Sequence, residues 1–164
     1  MPWRQRMCFC AGCSIHTLTS EFFIIATVSL NEPPMKFAIC LLSAPHAPSS
    51  RRALRFAQAV LAGGHEIVRL FFYQDGVHSA SHSVVTPQDE QDLPAQWRAF
   101  ITEQGLDGVV CIAAALRRGV LNAEEAVRYQ RDAASLQAPW ELSGLGQLHD
   151  AAQSADRVIC FGGP

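Results

Sequence analysis

DGVVCIAAALRRGVLNAEEA, residues 107–126, changes period once along its length. Gly108 to Ile112 is a short apolar run, with the length and β-branched content of a buried strand. AAALRR follows as an alanine-rich helix, and Gly119 supplies its stop. A buried strand passing directly into a helix is the repeating unit of a parallel α/β sheet. Cys111 stands at the handover, on the carboxyl edge where open parallel sheets gather ligands and chemistry. Unpaired N–H groups at a helix start make that a setting suited to a nucleophilic thiol.

Working outward, the same alternation recurs. MKFAICLL, residues 35–42, is an apolar run expected to form a strand covered on both faces. The loop SAPHAPSS breaks structure, and Ser49 or Ser50 is expected to cap a helix through RRALRFAQAVLA that ends at Gly63-Gly64. HEIVRLFFYQDGV holds a second strand and a turn at Asp75-Gly76. Residues 78–88 read as a polar loop. A helix over 90–104 places Leu93, Trp97, Phe100 and Ile101 on one stripe.

After the central unit, Asn122 and Glu125 form a capping box for a helix expected to reach Leu136. A short strand is expected over 138–142. Ser143 is expected to cap a helix through GLGQLHDAAQSA, and DRVICFGG to form a last buried strand. The expected fold is α/β: a flavodoxin-like three-layer sandwich with a mainly parallel five-stranded sheet.

The chain has 164 residues, 49% of them apolar and 17% charged, which suits one globular domain. A net charge of −2 gives no electrostatic case for nucleic acid. Residues 1–34 differ from the rest. EFFIIATVSL comes late for a secretory signal, lacks a small-residue cleavage site and is too short to span a bilayer. Cys8, Cys10, Cys13 and His16 offer a ligand set that zinc can use, but no second knuckle or aromatic support surrounds them. The segment is read as a disordered leader or an over-extended reading of the gene, with Met35 as the start and the domain over 35–164. The cysteine pattern is not a secreted disulfide framework and suits free thiols in a cytoplasmic, reducing setting.

Candidate chemistry beyond Cys111 is sparse. Arg117 and Arg118 suit a steering role or a simple complement to the helix dipole. His46, His78 and His82 form a dyad or metal site with Cys111 only if the fold converges them. Cys40 and Cys160, inside strands, are expected in the core. No C-x-x-C, G-x-G-x-x-G or P-loop lysine is present, which disfavours dithiol exchange and nucleotide binding.

FAQAVLAGGHEI, FFYQDGV, VVCIAAALRRGV, LSGLG and DRVICFG, in this order, resemble the DsrE/TusD-like sulfur-relay family across nearly all of residues 35–164. The resemblance implies a sulfurtransferase whose Cys111 accepts sulfane sulfur as a persulfide from a TusA-like donor. It implies delivery to a TusE-like acceptor, for 2-thiouridine at tRNA wobble positions, or a DsrE-type role in dissimilatory sulfur metabolism. It further implies TusB-like and TusC-like partners in a heterohexamer and no cofactor, with no direct contact to nucleic acid or membrane. A non-catalytic scaffold subunit is the reading from another class.

Overall fold

The computed structural model describes residues 33–162. The leader and its cysteine cluster, Cys8, Cys10, Cys13 and His16, lie outside them. Five parallel strands form one sheet: β1 (Lys36–Leu41), β2 (Glu66–Phe72), β3 (Gly108–Cys111), β4 (Trp140–Ser143) and β5 (Arg157–Phe161). Between them lie α1 (Pro48–Ala62), a 3₁₀ helix (Gln74–Ala80), α2 (Leu93–Gln104), α3 (Ile112–Arg117), α4 (Ala123–Arg128) and α5 (Gly146–Ser154).

The expected parallel α/β class is observed. The strand order, β4-β3-β2-β1-β5, is not flavodoxin's. Flavodoxin-like sheets run 2-1-3-4-5, with β1 between β2 and β3. Here the chain steps outward from β1 to β4 and then returns to place β5 beside β1. Strand alternation fixes the class, but no local residue pattern encodes where the chain turns back. The switch point therefore falls at β1 and β5, while Cys111 ends β3. The switch-point crevice is itself crowded: a Cβ on Gly162, whose φ is +98°, would lie 2.9 Å from Ser43.

Right-handed crossovers put α1 and α2 on one face and α5, on the return path, on the other. The side chains confirm this. On the first face Phe72 stacks edge-on against Trp97 of α2 and against Trp140, with centroids 5.4 and 4.7 Å apart. Ile39, Leu70, Val110 and Trp97 are all nearly inaccessible there. Burying each such side chain contributes roughly 1.5–3 kcal/mol. On the second face Arg69 of β2 pairs with Asp107 at 2.8 Å and donates to Gln147 of α5.

Several boundaries differ from expectation. Ala47 occupies the N-cap of α1 and Pro48 its first position, so neither serine caps it; Ser50 lies buried inside the helix. Proline suits a first position because its missing N–H has no partner there anyway. Asp92 caps α2, and Gly105 ends it with φ +60°. Asn122 caps α4 by accepting from Glu125 N–H at 2.9 Å, but the helix stops at Arg128. Gln130 takes φ +52°, and Ser135 and Leu136 instead donate their N–H groups to Leu121 C=O. Ser143 ends β4 rather than capping α5, whose N-cap is Leu145.

Candidate active site

Cys111 is the last residue of β3 and the N-cap of α3, as the handover predicts. Its backbone is extended (φ −62°, ψ 114°), and its side chain makes no cap hydrogen bond. It is a free thiol and is 1% exposed. Register fixes its orientation. Cys40 pairs with Phe71, Phe71 with Val109, and Cys111 lies two residues beyond Val109. All four side chains therefore share the face covered by α5. Ser143 of β4 is its register partner.

The rim around Cys111 is built by close approach. The 3₁₀ helix packs against β3 and α3. It also sits hard against the end of β1: Gly76 N–H donates to Leu42 C=O at 3.2 Å, and a Cβ there would meet Leu41 O at 2.2 Å. Only glycine fits such a contact. Arg118 joins the two sides of the rim. Its Nε donates to Asp75 Oδ1 at 2.8 Å across 43 positions of chain, and another nitrogen donates to Ala114 C=O. Arg118 thus ties α3 to the 3₁₀ helix, while Arg117 is exposed to solvent. Nothing in the residue pattern foretold the Asp75 partner, because the contact is long-range.

The histidines do not assemble around the thiol. His46 and His78 line one cleft of about 360 Å³ with Val85, Pro87 and Glu90, and Cys111 is not among its lining residues. His82 is exposed, its backbone N–H donating to Ser135 C=O beside the Ser81–Leu136 bridge. No cluster of three or more metal-ligating side chains occurs among the described residues. The serines of the first loop bond one another, Ser49 Oγ donating to Ser43 Oγ at 2.7 Å.

The other two thiols divide. Cys40 is buried, as expected. Burial pushes it up to about 12, with the neighbouring Cys160 and Cys111 sulfurs acting in the same direction. Cys160, expected in the core, is exposed. The reason is the strand order, which makes β5 an edge strand, while α5 packs over β1 and β2.

The chemistry available at Cys111 is that of a lone nucleophile or group carrier, with no resolving thiol in the adjoining strand. No described helix is long and apolar enough to cross a membrane.

Comparison with known proteins places this arrangement in context. Residues 35–161 match the model of the DsrE/DsrF-like family. A sulfurtransferase TusD homolog of Pseudomonas aeruginosa is 75% identical over 129 residues, spanning 79% of this chain and 98% of that protein. The sulfurtransferase TusD of an Enterobacter species is 43% identical over 128 residues, 77% of this chain and all of that protein. A DsrE protein of Allochromatium vinosum is also 43% identical, over 78% of this chain and 99% of its own length. In fold, the ychN protein of E. coli superposes with a TM-score of 0.62 at 23% identity, over 77% of this chain and 99% of that one.

Proposed function

The chain belongs to the DsrE/DsrF-like family, and from that premise we propose that it is a sulfurtransferase of a sulfur relay, carrying sulfur on Cys111. The observation that carries the reading is a free thiol at the strand-to-helix junction of a chain that matches proteins named sulfurtransferase TusD over nearly their whole length. In the first step the Cys111 thiolate attacks the terminal sulfur of a donor persulfide. A Cys111 persulfide forms and the donor leaves as a thiolate. In the second step an acceptor thiolate attacks the outer sulfur, taking it as a new persulfide and restoring Cys111. No cofactor enters the balance.

The proposed donor is a TusA-like carrier and the proposed acceptor a TusE-like one, within a heterohexamer of TusB-, TusC- and TusD-like chains. The proposed destination is 2-thiouridine at tRNA wobble positions. The 75% identity to a TusD homolog supports the thiolation reading, while a TusD of Enterobacter and a DsrE protein are each 43% identical.

Burial bears on both steps. At 1% exposure, Cys111 meets no donor while the rim stays closed. Loading therefore requires a local opening, which we place between the 3₁₀ helix and α3 that flank the end of β3, and reclosure shields the persulfide from water and oxidant. The same burial favours one other reading, a scaffold subunit in which Cys111 is a core filler. Intact-protein mass spectrometry after incubation with a persulfide donor separates them. The relay reading expects one added sulfur, mapped to Cys111 and absent from Cys111→Ser. Full loading of Cys111→Ser, or no loading of the native chain beside its partners, overturns it.

A further inference from the structure

Cys40 and Cys160 face one another on the sheet. They are direct register partners in neighbouring parallel strands, β1 and β5, so their side chains project from the same face. Neighbouring strands lie about 4.7–4.9 Å apart, within the Cα separation of about 4.4–6.8 Å that a disulfide bridges. Their environments are opposite. Cys160 sits on the sheet edge in contact with solvent, beside Val158, which is 41% exposed. Cys40 is 2% exposed beneath α5. Cys111 is two strands from Cys40, roughly 9–10 Å by strand spacing, too far to join either thiol.

We propose that Cys160 and Cys40 form an oxidisable thiol pair, a modification site separate from Cys111, that small disulfides such as glutathione disulfide close into an intrachain bond. Cys160 is the thiol that meets the reagent, because it alone of the pair is exposed. Its thiolate attacks one sulfur of glutathione disulfide, forming a mixed disulfide and expelling one glutathione thiolate. The Cys40 sulfur then attacks Cys160 Sγ, losing its proton and expelling the second glutathione. One glutathione disulfide is reduced to two glutathiones while two protein thiols become one disulfide, so electrons and atoms balance. Burial makes Cys40 a slow first nucleophile, but attachment at Cys160 brings its target into contact. The product fastens the edge strand β5 to the centre of the sheet.

The experiment uses the full chain with Cys8, Cys10 and Cys13 replaced by serine, so that the leader thiols do not compete. The protein is equilibrated with glutathione disulfide, quenched by alkylation, and examined by intact mass and non-reduced peptide mapping. The expected product is lighter by two hydrogens, with Cys40 and Cys160 joined and Cys111 alkylated. Cys40→Val keeps an apolar side chain in the core, and it should stop at a mixed disulfide, heavier by one glutathione on Cys160. Cys160→Ser, on the exposed edge, should remain fully reduced at the pair. Cys111→Ser should leave the closure unchanged, so failure of the sulfur-relay reading and failure of this one are distinguishable. A native pair that stops at the glutathione adduct, stays reduced, or joins through Cys111 overturns the proposal.

Discussion

Cys111 ends β3 in the interior of the sheet, and Cys160 lies on β5 at its edge, with β2 and β1 between them. Both side chains leave the same face of the sheet, and both are free thiols. One is 1% exposed and the other is open to solvent. The face is the same, so the difference comes from what closes over each position. At β3 the chain runs straight into α3, and the 3₁₀ helix docks beside it, pinned by Gly76 against β1 and by Asp75 against Arg118. At β5 the chain ends its last strand, and α5 has already been spent covering β1 and β2. A thiol that must hold a reactive sulfur gains from the first arrangement. A thiol that reports on the surrounding redox state gains from the second.

The sharpest way to break this contrast is to measure it. A small alkylating reagent applied to the native chain should modify Cys160 at least a hundredfold faster than Cys111. That ratio corresponds to an opening free energy of about 2.8 kcal/mol or more at the closed rim. Time-resolved peptide mapping reads both rates in one sample. Comparable rates would mean that the rim is not a barrier.

Next in size is Gly76→Ala. The added Cβ would lie 2.2 Å from a backbone oxygen, so the 3₁₀ helix must shift away from β1. Overpacking of this kind costs about 1–3 kcal/mol. The urea midpoint should fall accordingly, and Cys111 labelling should accelerate while Cys160 labelling holds. An unchanged Cys111 rate in a destabilised variant would detach the 3₁₀ helix from the gating role.

Titration separates the two ends of the face in another way. An unfolded cysteine ionises near about 8.5, whereas folded Cys40 holds its proton to about 12. Between those values the unfolded chain binds fewer protons, so stability is complete below the window and declines as pH rises through it. Cys40→Val removes this contribution and should show a shallower alkaline decline in thermal midpoint than the native chain. Parallel curves would show that Cys40 ionises alike in both states.

How much of this was legible beforehand follows from the range of each interaction. The β3–α3 handover, the buried stripe of α2 and the Asn122 cap are written within a few residues of one another, and all three are observed. The helix expected to reach Leu136 stops at Arg128 because Leu136 and Ser135 find their partners at Leu121, more than a dozen residues back. Cys160 departs from the expected core position for the same reason at larger scale. VICF is as apolar as an interior strand, and only the strand order makes it an edge. At the candidate site, Cys111 could be singled out from its position. The Gly76 contact and the Asp75 partner of Arg118 join segments that only the fold brings together.

The smallest effect is expected at that last contact, and it is the most discriminating. Asp75 and Arg118 side chains are 60% and 29% exposed, so their pair stabilises the fold by no more than about 0–1 kcal/mol. Asp75→Asn should therefore leave the thermal midpoint almost unchanged. Yet the pair joins the two elements between which the opening is proposed, so its small energy falls on that equilibrium. Labelling of Cys111 should rise by up to about fivefold, the factor that 1 kcal/mol supplies, with Cys160 labelling constant. High salt, which screens an exposed pair, should raise the native rate toward that of the variant. A rate gain at Cys160 as well would mean general loosening of the sheet. A gain confined to Cys111 would identify the Asp75–Arg118 pair as the latch of the rim.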